Sequence, residues 1–424
     1  MKIKTKTLSY KEVLALPKER RRKPKKPSML FRLLLKILSA GDLRATDFSL
    51  ETEGMERLGK QEPALFLMNH SSFIDLKIAS EVLFPRPFNI ICTSDGFVGK
   101  GWLMRHLGCI PTNKFTTDIA LVKDMLYTVG RLRSSILMYP EASYTFDGTA
   151  TPLPGSIGPL LKKLNVPLIM IKTSGAFHRD PLYNMLQLRE VKVTARMSYV
   201  LSPEEIREKS NEELNAIVAG LFTFDNFRWQ QENYIKITES FRADGLNRVL
   251  YKCPGCRTEG FMQGKGISLG CGSCGRRWTL TEEGFIKAEE GDDEFTHIPD
   301  WYAWERREVK NEIQTGRYLL DIPVKISVLA DAKYLYNVGE GRLIHDNSGF
   351  RLTGCDGTLS VSVPPLATYS LYADYFWYEI GDVICIGSGG LLYYCFPQDA
   401  GDVVAKTRLA TEELYKEAVK AISK

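Results

Sequence analysis

The chain has 424 residues, about three times a typical domain, which is room for two or three domains with a buried core. Hydrophobic residues make up 44% and charged residues 25%, an ordinary globular composition that excludes a largely disordered, fibrous or multi-span membrane chain. Residues 1–27 carry eleven Lys and Arg against Glu12 and Glu19, a net of +9, while the remainder has a net of −4, so the positive character sits in one tail. Such a tail is drawn to a polyanion, either nucleic acid or an anionic lipid surface. Of the nine cysteines, Cys253, Cys256, Cys271 and Cys274 cluster and the others are scattered, which fits a reducing compartment and one metal site.

After the tail, residues 29–38 form an apolar run interrupted by Arg32 and Lys36. The very basic, Pro-rich approach is unlike a secretory signal, and no run reaches the roughly 20 apolar residues that a membrane span needs. Charges four apart share one helical face, so the segment predicts an amphipathic helix lying in a bilayer surface. The basic tail would add about 1 kcal/mol per Lys or Arg near anionic headgroups. A helix packed on its own domain is the other reading of the same pattern.

Short apolar runs then alternate with helical stretches, the signature of an α/β domain. The strands expected are 64–68, 88–93, 135–138, 166–173 and 191–199, and the helices 74–83 and 119–132. Ser202-Pro203-Glu204-Glu205 reads as a capped helix start. From residue 201 a charged helical stretch leads to the cysteine cluster and an acidic run at 289–294. The last 105 residues are strand-like, at 324–329, 349–353, 360–363 and 383–386, followed by a helix at 405–420. The expected fold is an α/β domain with a mixed sheet flanked by helices, a small zinc ribbon, and a C-terminal β-rich domain, sandwich or barrel, with a terminal helix. The expected boundaries are 1–45 for the basic tail and interfacial helix, 46–245 for the α/β domain and 246–285 for the ribbon. A helical and acidic linker at 286–319 and the β-rich domain at 320–424 complete the chain.

Asn69-His70-Ser71-Ser72-Phe73-Ile74-Asp75 lies between the first of these strands and a helix, and strand ends of an open α/β sheet are where ligand crevices form. An Asp75 carboxylate reaching back to His70 would fix one tautomer and stabilise the imidazolium formed on proton uptake, making His70 a base for a hydroxyl. Ser72 to Asp75 also matches a capping box, in which Asp75 ties off the helix start. The local pattern leaves both readings open.

Three further blocks follow: Gly108-Cys109-Ile110-Pro111-Thr112-Asn113-Lys114, Tyr139-Pro140-Glu141-Ala142-Ser143, and Val166-Pro167. In order and spacing the four resemble the glycerolipid acyltransferases of the lysophosphatidate acyltransferase (PlsC-like) family, with signatures N-H-x-x-x-x-D, G-x-I-P-x-x-[RK], F-P-E-G-x-R-S and V-P. The resemblance covers about residues 45–200. It implies that His70 is the catalytic base and Asp75 its orienting partner. It also implies that Lys114 helps hold an acceptor phosphate, and that Glu141, with Ser143 in the same block, lines the acceptor site. The chain departs from the pattern at Ala142, where the family has Gly, and at Tyr144, where it has an Arg that would grip phosphate by two prongs.

The activity implied is transfer of a fatty acyl group from an acyl thioester, acyl-CoA or acyl carrier protein, to a hydroxyl of a lysolipid or glycerol derivative such as lysophosphatidate. Its place would be a peripheral one, on the cytoplasmic face of the cell membrane. Ser71 and Ser72 are poorly placed for in-line proton transfer to the adjacent His70, so no acyl-enzyme is expected. N–H groups at the start of the following helix are the expected oxyanion donors.

Cys253-Pro254-Gly255-Cys256 and Cys271-Gly272-Ser273-Cys274-Gly275 are two C-x-x-C knuckles separated by fourteen residues, the spacing of a closed tetrahedral Zn²⁺ site of structural type. Trp301, Tyr302 and Trp304 fall at helical spacing and predict a helix packed on the ribbon or the β-rich domain. Two other functional classes fit parts of the sequence: a catalytically inactive lipid- or protein-binding scaffold, and a nucleic-acid-binding zinc-ribbon protein using the tail. The second is disfavoured, because a metal that stands in for a core explains the ribbon by itself.

Overall fold

The computed structural model describes residues 2–17, 21–115, 118–399 and 401–422, so Lys18, Glu19 and Arg20 of the basic segment lie outside the described residues. A seven-stranded mixed sheet forms the first layer system. Its spatial order is Ser49–Glu53, Thr194–Leu201, Leu168–Ser174, Leu65–Met68, Ser135–Met138, Phe88–Thr93 and Cys109–Thr112. Leu168–Ser174 pairs antiparallel with Thr194–Leu201, and every other neighbouring pair is parallel. Leu65, Phe66, Leu67 and Met68 are all buried, as expected of a central parallel strand covered on both faces. Helices Asp75–Leu83 and Ile119–Gly130 belong to opposite faces: Ile74, Ile78 and Leu83 join one core cluster, Met125 and Val129 the other.

The C-terminal region is one antiparallel sheet rather than two facing ones. Its order is Leu359–Val363, Gly349–Gly354, Leu335–Asp346, Leu320–Leu329, Leu391–Pro397, Gly381–Ser388 and Tyr372–Trp377. One face is buried along the whole sheet, whereas the other is buried only toward Tyr372–Trp377 and is exposed at Asp321, Lys325, Arg351 and Ser360. The first, with Val324, Ile326 and Tyr393, shares a core with the terminal helix Val404–Ile422, the helix Ile298–Gln314 and a four-stranded sheet that carries the cysteine cluster. The other, with Leu335, Tyr372, Trp377 and Tyr394, meets Val98 and Phe115 of the α/β domain. The expected linker is thus a packed element: Trp301 is buried edge-on to Trp278, and its indole N–H donates to the Lys252 carbonyl at 3.0 Å.

The N-terminal segment is not a separate tail. The strand Leu335–Asp346 pairs with Gly349–Gly354 only from Gly341 onward, and Thr5–Thr7 fills the vacant edge by parallel pairing with Leu335, Tyr336 and Asn337. The helix Tyr10–Leu14 follows, with the Tyr10 hydroxyl 2.9 Å from that of Tyr393. Arg21 then pairs with Asp124 at 2.7 Å and Asp118 at 3.1 Å, so part of the basic charge is compensated by the chain's own surface. Three-residue strands carry no periodicity to read, which is why composition alone presented this segment as free.

The helix at 29–38 extends over Met29–Ala45. Arg32 and Lys36 face the protein: Lys36 pairs with Glu81 at 3.0 Å and Arg32 donates to the Pro85 carbonyl. Six of its apolar residues are exposed, among them Leu30 at 71%, Ile37 at 61% and Leu38 at 67%, while Leu43 near its end is in the core. Among the described residues, no helix is long and apolar enough to cross a membrane.

Candidate active site

His70 leaves the central strand Leu65–Met68 and lies where the parallel strands end, the position at which an open sheet presents loops to a ligand. Its backbone is fixed from both sides. The His70 N–H donates to Glu141 Oε2 at 2.9 Å, and the His70 carbonyl accepts the Thr145 N–H at 3.2 Å. Nδ1 lies 3.0 Å from Asp75 Oδ2, and the same oxygen accepts the N–H groups of Ser71 at 2.8 Å and Ser72 at 3.2 Å. Asp75 therefore orients the imidazole and ties off the helix start together, so the two readings of this motif coexist. The Ser71 and Ser72 N–H groups are spent on Asp75, which leaves the N–H groups of the helix start itself as the backbone candidates for oxyanion donors. Ser71 Oγ accepts from Asn69 Nδ2 at 3.1 Å.

Nε2 of His70 makes no hydrogen bond among the described residues, and the side chain, 16% exposed, lines a cavity of about 1320 Å³. The imidazole is held between two aromatic rings, Tyr139 with centroids 4.1 Å away and Tyr144 at 3.9 Å. Burial, with a smaller contribution from the Lys114 ammonium, holds the His70 pKa well below its ordinary 6.5, so the ring is neutral and able to take a proton. Burial pushes Asp75 up to about 8 against the opposing pull of its two backbone donors. The Tyr139 hydroxyl is buried without a partner among the described residues.

Glu141 and Ser143 do not line the cavity. Glu141 is buried, its second oxygen accepting the Thr151 N–H at 2.9 Å, so the carboxylate clamps the His70 loop rather than contacting an acceptor. Ser143 is buried too, its hydroxyl turned to the Tyr144 carbonyl at 3.4 Å. Ala142 adopts φ +54°, the left-handed region that glycine enters freely, so the backbone keeps the shape of a Gly position at a cost of roughly 1–2 kcal/mol. Lys114 does line the cavity. Burial lowers its pKa, while Asp95 and Asp374 oppose that shift.

The far wall comes from the C-terminal sheet, through Leu366, Tyr369, Tyr372, Asp374, Trp377 and Tyr378. A bulge between Asp374 and Trp377 breaks the register with Gly381–Ser388, and Phe376 and Tyr378 adopt positive φ there. Bulges re-aim side chains, and both residues line the cavity. The sequence reading missed this wall. Its signal was the aromatic density of residues 369–378, six of ten being Tyr, Phe or Trp. Apolar lining from Ile90, Leu121, Met125, Met138, Ile157 and Leu160 completes a space larger than the roughly 300–1,000 Å³ of ordinary ligand pockets.

Away from this cavity, one sulfur atom from each of Cys253, Cys256, Cys271 and Cys274 lies within 4.8 Å of the others. Cys253 and Cys274 are 3.7 Å apart, as are Cys256 and Cys271. A regular tetrahedron with Zn–S of about 2.3 Å has edges of about 3.8 Å, so the four thiols fit that ion.

Residues 49–173 match the family model described as Acyltransferase. The match falls on the span of the four sequence blocks, and supports the resemblance they carry. Among solved structures the chain is similar to the 1-acyl-sn-glycerophosphate (LPA) acyltransferase PlsC of Thermotoga maritima, at 16% identity and a TM-score of 0.38, over 45% of this chain and 76% of that one. No curated protein sequence matches the chain.

Proposed function

We propose that the protein transfers a fatty acyl group from an acyl thioester, acyl-CoA or acyl carrier protein, to a hydroxyl of a glycerolipid-type acceptor. The observation that carries this reading is the His70–Asp75 pair, with a neutral imidazole facing a large, mostly apolar cavity, inside the span that matches the Acyltransferase model. Nε2 takes the acceptor's proton as its oxygen attacks the thioester carbonyl. The tetrahedral intermediate collapses by breaking the C–S bond, and the departing thiolate recovers the proton from the imidazolium, so proton and electron pair both balance. Asp75 stabilises the imidazolium in between. The Tyr139 hydroxyl, unpartnered on a ring stacked against His70, is the side-chain oxyanion donor of this reading once it turns out of its buried position, the role that Tyr139→Phe tests.

The outward apolar face of Met29–Ala45 is the membrane-docking element of this reading. The helix packs on Asp75–Leu83, with Ser39 Oγ 3.5 Å from Ser80 Oγ. At the start of that second helix, Phe73 (52% exposed) and Leu76 form part of the cavity lining. A lipid acceptor would pass from the bilayer to the cavity along this edge. Zn²⁺ in the four-cysteine site is a structural element, outside the cavity. The test is incubation of the purified full chain with labelled acyl-CoA or acyl carrier protein and a panel of lysolipids and glycerol derivatives, beside His70→Ala. Acyl transfer that persists in a folded His70→Ala protein would refute the mechanism.

A further inference from the structure

The end of the cavity at which the family resemblance places an acceptor phosphate has the wrong charge for one. Of the two cationic positions in the signature blocks, Tyr144 carries no charge. The other, Lys114, has its ammonium covered: Nζ lies 4.1 Å from the centroid of the Tyr372 ring. The Tyr372 hydroxyl donates to Asp95 Oδ2 at 2.8 Å, and the Trp377 indole N–H donates to that hydroxyl at 3.0 Å. Asp374 is two residues along the same strand, hence on the same face, and lines the cavity. Asp95 is buried and also lines the cavity, with Oδ1 unpartnered among the described residues.

Asp95 and Asp374 face one ammonium, and burial raises Asp374 to about 7, so above that pH this end holds a negative excess in a low-dielectric setting where a phosphate dianion meets like charge, and the binding comparison below belongs at pH 8. Arg408 offsets it only in part, its charge reaching Lys114 from outside the cavity. Its guanidinium donates to the Tyr144 carbonyl at 3.1 Å and to Glu412 at 3.3 Å, and it does not line the cavity. Lys163 lines the cavity but is exposed to solvent, where its charge is screened. What the site offers instead is the half-buried Asp374 carboxyl, which lines the cavity with one oxygen taken by the Tyr375 N–H at 2.8 Å, a group that suits hydrogen-bond donors.

We propose, resting on the acyl-transfer reading above, that the acceptor carries no phosphate and presents N–H or O–H donors, as an amine or polyol headgroup does, to Asp374, with the buried Asp95 adding its negative charge behind. The probes are monomeric lysophosphatidate, a monoacylglycerol and a long-chain amino alcohol of matched chain length. Their binding to the full-length His70→Ala protein is measured by calorimetry, so that affinity is read without turnover. The two non-phosphorylated probes are expected to bind at least roughly tenfold more tightly than lysophosphatidate, since like-charge juxtaposition costs several kcal/mol. Asp374→Asn should narrow that gap, and Tyr144→Arg should narrow it independently by restoring a cation. Equal or tighter binding of lysophosphatidate, binding of none of the three, or a gap that neither substitution moves would overturn the proposal. Selective binding by a chain that transfers no acyl group would instead count against the acyl-transfer reading alone.

Discussion

Tyr144 lies against the imidazole of His70, ring centroids 3.9 Å apart, at the sequence position where the resembled family carries a phosphate-gripping arginine. With Tyr139 at 4.1 Å on the opposite face, it turns a charge-binding position into one wall of an aromatic slot for the base. Tyr144→Phe should keep the stack and near-normal turnover. Tyr144→Ala removes an aromatic contact of about 0.5–1.5 kcal/mol and should lower kcat by up to about tenfold, measured at saturating acceptor.

His70→Ala is expected to lose about 10²–10⁴-fold in kcat, because general-base catalysis contributes that much. Tyr139→Phe removes only the hydroxyl and should cost roughly 10²–10³-fold if that group stabilises the oxyanion. A Tyr139→Phe enzyme with wild-type kcat would assign the oxyanion to another donor. Thermal melts of both variants close to the parent's would show that the losses are chemical.

The pH profile should carry the mark of Asp75 rather than of an ordinary histidine. Because burial holds His70 well below 6.5, the imidazole is already neutral at pH 7 and sets no limb there. Asp75 is pushed up to about 8, so lowering the pH protonates the carboxylate that orients Nδ1, and the rate falls. The sign is a rise in kcat/KM with pH that reaches half its height near pH 8 and levels off above about pH 9. Asp75→Asn should abolish the limb along with most of the activity, and a parent profile flat from pH 6 to 9 would contradict the assignment.

The cysteine site should hold one zinc per chain by metal analysis, released by strong chelators. Trp278 and Ile286 of the ribbon share a core with Val324 and Tyr393 of the C-terminal sheet, the sheet whose far edge walls the cavity. Cys253→Ser or chelation should therefore lower both the thermal midpoint and the activity, although the sulfurs lie outside the cavity. Unchanged melting of metal-free protein would show that the ribbon folds on its own contacts.

Replacing Leu30 and Ile37 by Glu places two charges on the outward face of Met29–Ala45. Each buried Leu or Ile is worth about 1.5–3 kcal/mol, so vesicle binding should fall at least about tenfold and the deficit should persist in high salt. Replacing Lys and Arg of the basic segment should instead weaken binding only at low salt. Equal vesicle binding by the parent and the doubly substituted chain would remove the docking role.

Much of the α/β domain was legible because its signals are local. Phe88–Thr93 and Ser135–Met138 form as read, and His70 and Asp75 are five residues apart, so one turn suffices to join them. The four cysteines sit on two tight knuckles whose spacing already implies convergence. The edge strands Ser49–Glu53 and Cys109–Thr112 escaped notice: the first is exposed throughout and the second contains a proline. Glu141 was assigned to the acceptor site by resemblance, yet its carboxylate is consumed by His70 and Thr151, a partnership that only the folded loop reveals.

The sequence by itself determined the His70–Asp75 pairing behind the proposed chemistry and the candidate metal site, because each rests on residues close together along the chain. Tertiary structure decided the rest. It sent Thr5–Thr7 to a strand more than three hundred residues away, and turned the apolar side of Met29–Ala45 outward. It also set Tyr372 and Asp374 over Lys114, fixing the charge that an acceptor meets. Contacts between distant segments follow from how whole sheets pack against one another, and no short window of residues encodes that.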